Sequence, residues 1–252
     1  MKVDFKTRFW EIDSLRGIAI IVMIIFHAIT VLSYFNVIDI DNNHLLLRGT
    51  IFVFARLFLL LVGISLTLSY ARLEDWNRKK IFLKYLKRGL IIFSGGLAIT
   101  LVSWFFIRKD FTIFGVLHLI GFAIIFAIPV LKKKFLNLLL AVFFTLGGFY
   151  VNRLTVDTSW LIWLGASPAN FTTVDYFPVF PWFGVVLLGI FIGNMLYKDY
   201  SRTFKIKDLS SNHVVRLLSF LGRHSLMLYL IHQPIIIIVL VSLGYIIGRA
   251  HV

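Results

Sequence analysis

An arginine and a histidine within one apolar run are the first residues that could do chemistry. Arg16 and His27 stand eleven residues apart, with Asp13 one helical turn before the arginine. At 100° per residue, eleven residues return to within about 20° of the starting direction, so both side chains share one helix face. Arginine binds phosphate through two parallel hydrogen bonds, and neutral histidine accepts a proton as a general base. The spacing predicts a polar groove that holds an anion and moves a proton.

A second polar face is predicted in the last apolar run, LGRHSLMLYLIHQP. Ser225, Tyr229 and His232 stand at positions i, i+4 and i+7, and therefore share one side of a helix. Arg223 and His224 precede this face and are expected at its cytoplasmic mouth. For both runs a structural alternative stands beside the functional one: a polar seam that packs helices together, with Arg16 held by Asp13 and snorkelling to the membrane surface.

The polar residues of the apolar runs and their edges divide into two predicted clusters. The outer cluster comprises His27, His44, Arg56, His118 and Asp175. The inner cluster comprises Arg16, Arg223, His224 and His232. Together they predict a polar path across the membrane, because ionisable residues within a bilayer usually mark functional routes. The sequence has no cysteine and no closely spaced histidine pair typical of zinc sites, so we expect no metal.

The elements that position these residues are predicted to be membrane helices. Of the 252 residues, 59% are hydrophobic and only 15% are charged, whereas a soluble domain carries about 25% charged residues. We predict an all-α, polytopic transmembrane bundle that forms a single domain over residues 1–252. Its seven predicted spans cover about 15–34, 50–71, 88–107, 112–131, 135–152, 179–197 and 223–247.

The net charge of +14 is distributed unevenly between the loops. Most lysines and arginines lie in alternate loops, around residues 72–88, 132–134 and 198–223. The positive-inside rule therefore predicts a cytoplasmic N-terminus and an outer C-terminus in the plasma membrane. Because the basic residues flank apolar runs, we expect the lipid bilayer as partner and no nucleic acid.

Four stretches together resemble the transmembrane acyltransferase superfamily. DSLRGIAIIVMIIFHAI is similar to its opening helix, which carries a D-x-L-R-G-x-A element and a histidine eleven residues after the arginine. FGVLHLIG, DYFPVFPWFGVVLLGIFIG and LGRHSLMLYLIHQP are similar to further signatures of one branch. That branch comprises the bacterial and archaeal proteins similar to the catalytic domain of heparan-alpha-glucosaminide N-acetyltransferase. The resemblance runs from residue 11 to about residue 240.

The resemblance implies an enzyme that moves an acyl group, expected to be acetyl, from cytoplasmic acyl-CoA to a sugar-type hydroxyl or amine on the outer side. Arg16 would help to hold the donor, and His27 would be the base that activates the acceptor. In the lysosomal relative the catalytic histidine lies in the first luminal loop, so His44 is the alternative base. His118 or Arg56 would donate a hydrogen bond to the oxyanion of the tetrahedral intermediate.

Two sets of site residues follow from the residue types and the resemblance. The catalytic set is His27, His44, His118 and Asp175. The set that binds the acyl-CoA donor is Asp13, Arg16, Arg56, Arg223, His224, Ser225, Tyr229 and His232. The expected partners are acyl-CoA, a carbohydrate or glycolipid acceptor and, as an open alternative, a second copy of the chain.

Two other functions remain open on the sequence. A proton-coupled transporter or flippase of a small anionic or glycolipid substrate would also line its path with histidine and arginine. Such folds often show internal repeats, which this sequence lacks. A structural membrane scaffold would tolerate apolar replacements at the polar positions.

Overall fold

Long α-helices account for most of the residues in the computed structural model, which describes residues 8–34, 37–38, 45–73, 76–106, 108 and 110–242. The helices in this part of the chain are α1 (Trp10–Tyr34), α2 (Leu45–Ala71), α3 (Arg78–Phe106), α4 (Val116–Phe126), α5 (Lys134–Val151), α6 (Val179–Leu196), α7 (His213–Arg223) and α8 (Ser225–Ser242). Short 3₁₀ turns cover Ile128–Val130 and Ser159–Leu161, and a hairpin pairs β1 (Tyr197–Lys198) with β2 (Ser201–Arg202).

Six helices in the described ranges are long and apolar enough to cross a bilayer, namely α1, α2, α3, α5, α6 and α8. Large apolar side chains cover their outer surfaces; Phe135 and Tyr150, for example, are each 76% exposed. In water such surfaces would be strongly unfavourable, whereas in lipid they are the expected exterior. The chain is therefore a multi-pass membrane protein.

The prediction of seven full spans is wrong at residues 112–131, because α4 contains only 11 residues. Its length of about 16 Å is roughly half of a hydrocarbon core. Helix α4 still runs antiparallel to α3: Gly96 lies against His118, while Gly89 lies against Ile125. The chain thus returns along α3 through a short helix and irregular flanking segments, which hydropathy alone cannot distinguish from a continuous span.

The chain folds as two compact units. Unit 1 contains Leu59–Lys205, and unit 2 contains the described residues of Thr7–Phe58 and Ile206–Val252. The prediction of one functional domain over the whole chain stays a prediction.

In unit 1, glycines allow α2 and α6 to approach closely. A Cβ atom at Gly189 would overlap the carbonyl oxygen of Leu60, and one at Gly193 would lie 2.9 Å from Thr67 Oγ1. The sequence predicts that the Gly189 and Gly193 pair packs helices within the bundle, and this contact confirms it. The similar pair at Gly244 and Gly248 lies outside the described residues.

In unit 2, α7 packs against the first two turns of α1. A Cβ atom at Gly17 would overlap the carbonyl oxygen of Leu218, and the hydroxyls of Ser14 and Ser219 lie 2.8 Å apart. Residues 213–223 were expected to form a loop and the start of the last span, but they form this separate amphipathic helix. This segment does not continue the last span because its mean hydropathy is low: charged residues occupy one side of α7 and apolar residues the other.

Candidate active site

Two histidines meet inside unit 2, one from α1 and one from α8. The ring centroids of His27 and His232 lie 5.0 Å apart with the planes tilted by 55°. His27 is half-buried, and His232 is 6% exposed. The sequence predicts His232 in the inner cluster; the structure instead places it beside His27. Its depth depends on how α8 lies along α1, which the spacing within α8 does not encode.

Backbone carbonyls fix which nitrogen of each ring carries a proton. His27 Nδ1 lies 3.0 Å from the carbonyl oxygen of Met23, and His232 Nδ1 lies 2.7 Å from that of Tyr229. A carbonyl can only accept, so Nδ1 donates in both rings. In a neutral imidazole the lone pair then resides on Nε2. Each ring is therefore held in the tautomer that can take up a proton at Nε2.

The motif arginine is held by an acidic neighbour on its own helix. Arg16 Nη1 lies 3.6 Å from Asp13 Oδ1, and the two side chains are 18% and 13% exposed. This is the contact that the structural alternative predicts for Arg16. Asp13 also borders a cleft on the same unit, so the ion pair is positioned at a site that could receive a ligand.

That cleft, termed here the basic cleft, has a volume of about 540 Å³. It is lined by Arg8, Trp10, Asp13, Ser210, His213, Arg216, Leu217, Ser219, Phe220 and Arg223. Three arginines face one carboxylate, which favours an anionic ligand. The residue types and motifs predict Asp13 and Arg223 in such a site but miss Arg8, His213 and Arg216. The missed signal is the spacing of residues 213, 216, 220 and 223, which repeats along one side of a helix.

The remaining predicted donor-site residues of unit 2 have varied surroundings. Ser225 is buried, and Tyr229 packs its ring 5.6 Å from that of His232, so the face that these residues share is oriented inward. His224 is exposed at the junction of α7 and α8 and bonds through Nδ1 to the carbonyl of Phe220 at 2.8 Å.

The Arg56 guanidinium lies 3.1 Å from the centre of the Phe52 ring, one turn earlier in α2. His44 lies outside the described residues.

The two predicted catalytic residues of unit 1 meet at the N-terminus of α4. His118 Nδ1 accepts a hydrogen bond from the Gly115 N–H at 3.2 Å, and Asp175 Oδ2 accepts one from the Val116 N–H at 3.2 Å. Both side chains thus satisfy backbone donors that a helix start leaves unpaired. These capping contacts give each residue a structural function, whether or not it also takes part in chemistry.

The tautomer of His118 is the opposite of that of His27. Because Nδ1 of His118 accepts a bond, the neutral ring carries its proton on Nε2. This Nε2 is buried and has no hydrogen-bond partner among the described residues. The ring is 2% exposed and packs between Phe93 and Phe114, with centroids 5.1 and 5.4 Å away. His118 is therefore a donor at Nε2, as an oxyanion-stabilising group must be.

Among the described ranges, no group of three histidine, cysteine or acidic side chains could hold a metal ion.

The family profile described as heparan-alpha-glucosaminide N-acetyltransferase, catalytic, matches residues 8–234. No curated protein and no solved structure matches the chain significantly. The matched region contains all twelve predicted site residues and extends over most of the chain. The protein thus belongs to the heparan-alpha-glucosaminide N-acetyltransferase catalytic family, a family of membrane acetyltransferases.

Proposed function

We propose that the protein transfers an acetyl group from cytoplasmic acetyl-CoA to a sugar-type hydroxyl or amine presented on the outer side of the plasma membrane. The single observation that carries this proposal is the His27–His232 contact, with each ring donating through Nδ1 to a backbone carbonyl. A membrane helix accepts such polar groups only at a cost, which a catalytic role explains. The family match supplies the reaction class.

In the proposed reaction, His27 Nε2 takes the proton of the acceptor as the acceptor attacks the thioester carbonyl carbon. A new carbon–nitrogen or carbon–oxygen bond forms, and the carbonyl oxygen becomes an oxyanion. When the intermediate collapses, the carbon–sulfur bond breaks and the CoA thiolate leaves, with the proton from His27 returning to its sulfur. His232, 5.0 Å away between ring centroids, fixes the position of the His27 ring. His44 stays the alternative base.

The basic cleft is the proposed site for the phosphates of the donor. Its arginines, Arg8, Arg216 and Arg223, provide the planar donors that match phosphate oxygens. Trp10 adds an aromatic surface whose buried indole N–H has no hydrogen-bond partner among the described residues. Asp13 would orient Arg16 through the ion pair between them.

Charge and helix direction support the proposed orientation. In unit 1, Lys132 lies 5.4 Å from the ring of Tyr70, near the C-terminal end of α2. The side-chain amide of Asn194, near the C-terminal end of α6, donates to the carbonyl of Leu131. The basic segment 131–134 therefore lies at the end of the unit where α2 and α6 finish. The positive-inside rule favours the cytoplasm for this end. In unit 2, α8 runs in the same direction as α1. Gly222, three residues before α8 begins, contacts Asp13, and His232, further along α8, contacts His27. That direction suits a cytoplasmic N-terminus with an outer C-terminus.

The test measures donor binding and acetyl transfer separately in purified protein. His27→Ala should keep acetyl-CoA binding but lower the transfer rate about 10²- to 10⁴-fold, the usual contribution of a general base. Arg223→Ala should weaken acetyl-CoA binding about tenfold or more through the loss of a charged hydrogen bond. Arg153→Ala, an exposed arginine of unit 1, is the matched control and should leave binding unchanged. Unchanged transfer by His27→Ala would show that this histidine is not the base.

A proton-coupled transporter is the second candidate, and the contact of two imidazoles favours it specifically. Adjacent histidines can pass a proton between them, as relays in pumps and transporters do. Folded wild-type protein that binds no acetyl-CoA but drives proton-coupled flux in liposomes would replace the acetyltransferase with this function.

A further inference from the structure

The first three turns of α3 form a basic surface in unit 1. Residues 78–88 contain six lysines and arginines, whereas the rest of this helix contains none. Helix α3 has 29 residues and is therefore about 43 Å long, roughly 13 Å longer than a hydrocarbon core. Its apolar part, residues 89–106, is long enough to fill most of that core. The basic turns therefore extend to the level of the lipid headgroups.

We propose that four exposed lysines of these turns bind the anionic headgroups of phospholipids in the leaflet at this end of unit 1. They are Lys79, Lys80, Lys84 and Lys87, termed here the lysine surface. This inference goes beyond the proposed function, since it assigns a lipid ligand to residues outside the candidate active site.

The lysine surface lies on the side of α3 that faces lipid. Leu83, Leu90 and Leu101, which are 51%, 52% and 59% exposed, define that side. At 100° per residue, three of the four lysines lie within about 60° of the Leu83 direction, and Lys84 lies about 100° from it. The lysines thus continue the lipid-facing stripe to the membrane surface. There their hydrocarbon stems can contact acyl chains while their ammonium groups reach the phosphates.

Contacts on the opposite side fix the rotation of α3. Tyr85 is 1% exposed, and its hydroxyl donates to the carbonyl of Leu66 in α2 at 3.4 Å. A Cβ atom at Gly89 would lie 2.9 Å from the carbonyl oxygen of Gly121 in α4. Because this side packs closely against two helices, the lysine surface stays turned away from them, and a ligand reaches it from the lipid.

A tryptophan marks the depth of the lysine surface. Trp76 is 47% exposed just before α3, and Lys84 Nζ lies 4.9 Å from the centre of its ring. Indole rings concentrate at the membrane–water interface, so this contact places the Lys84 ammonium at the level of the headgroups. Lys87 lies about 4.5 Å further along the helix axis, a distance that its flexible stem can span.

The charge and shape of this region select the class of ligand. Residues 72–88 include seven basic and two acidic residues, which leaves an excess of positive charge. Basic clusters next to a membrane helix attract anionic lipids, whereas phosphatidylcholine has no net charge. A soluble phosphate compound is a poorer match, because small molecules bind in concave sites and these lysines spread over about 12 Å of an exposed helix face. They also lie outside the lining of the basic cleft.

Native mass spectrometry of the full-length protein, released from detergent, tests the proposal by counting bound lipids. The probes are phosphatidylglycerol and phosphatidylcholine with identical acyl chains. Wild-type protein should bind phosphatidylglycerol about tenfold or more tightly than phosphatidylcholine. The combined changes Lys80→Gln, Lys84→Gln and Lys87→Gln should remove most of that preference, since each lysine near the surface contributes about fivefold. Glutamine and lysine have similar helix propensities, so α3 should stay intact.

Two matched variants control for structure and for net charge. The corresponding Lys→Arg changes keep the charges at all three positions and should retain the preference for phosphatidylglycerol. The combined changes Lys198→Gln, Lys205→Gln and Lys207→Gln remove the same charge from three other exposed lysines and should also retain it. An equal loss in this second control would attribute lipid binding to net charge and overturn the inference.

Other results would also decide whether the lysine surface binds lipid. Wild-type protein that binds both lipids equally would refute the lipid site. A triple glutamine variant that loses acetyl-CoA binding in lipid-free detergent would assign these lysines to the donor site instead. If that variant does not fold, Lys87→Gln alone should lower the affinity for phosphatidylglycerol about fivefold, and no change would refute the site. Because lipid binding is measured without acetyl transfer, failure of the proposed function leaves this result unchanged.

Discussion

Replacements of His118 separate its contribution to α4 from any contribution to chemistry. The side chain accepts the Gly115 N–H at 3.2 Å and fills a site between Phe93 and Phe114 in which it is only 2% exposed. Three variants separate the hydrogen bond from the packing. His118→Gln keeps a hydrogen-bond acceptor at the third helical position, His118→Leu keeps only the side-chain volume, and His118→Ala keeps neither.

The expected losses follow from these contacts. His118→Leu leaves a buried N–H unsatisfied, which costs about 1–3 kcal/mol. His118→Ala adds a cavity, so the total rises to about 3–5 kcal/mol. His118→Gln retains the hydrogen bond and most of the volume, so we expect a loss of about 1 kcal/mol or less. For a chain of this size, each kcal/mol lowers the unfolding midpoint by about 2–4 °C.

Thermal unfolding in one detergent, followed by near-ultraviolet circular dichroism, measures this series. The expected order of midpoints is wild type, glutamine, leucine and then alanine. A glutamine variant that unfolds as early as the alanine variant would refute the capping role of His118. If folded His118→Leu also loses acetyl transfer while His118→Gln retains it, the Nε2 donor takes part in the reaction.

Three further predictions concern packing, capping and titration. Gly222→Ala would push a Cβ atom into the carbonyl of Asp13 and should destabilise the protein by about 1–3 kcal/mol, whereas Gly49→Ala meets nothing within 4 Å and should be neutral or slightly stabilising in the same melting assay. Asp175→Ala removes the acceptor of the Val116 N–H at the N-terminus of α4 and should lower the free energy of unfolding by about 0.5–2 kcal/mol. Asp175→Asn should retain most of that stability, because an amide oxygen also accepts a hydrogen bond. Burial raises the pKa of Tyr176 from its usual 10 to about 12, so the stability that its neutral form provides should be lost between pH 10 and 12. A melting series over that range should show a smaller pH dependence for Tyr176→Phe, and equal slopes would contradict the assignment.

The class of protein and most of its helices could be read from the sequence. Apolar runs long enough to cross a bilayer leave few alternatives to membrane helices, since every backbone polar group must be satisfied internally. Five of the seven predicted spans correspond closely to α1, α2, α5, α6 and α8, and α3 begins ten residues earlier than expected. The four ordered motifs, which begin with the helix of Arg16 and His27, also predicted the family that the profile match shows.

Only the tertiary structure decided which polar side chains meet. Helical spacing correctly placed Ser225, Tyr229 and His232 on one face, but the position of His232 beside His27 depends on the packing of α8 along α1. His118 and Asp175 stand 57 residues apart and meet because a chain reversal brings the start of α4 to the segment before α6. Periodicity reports the geometry within one helix, whereas a site formed by several elements depends on contacts that neighbouring residues in sequence do not encode.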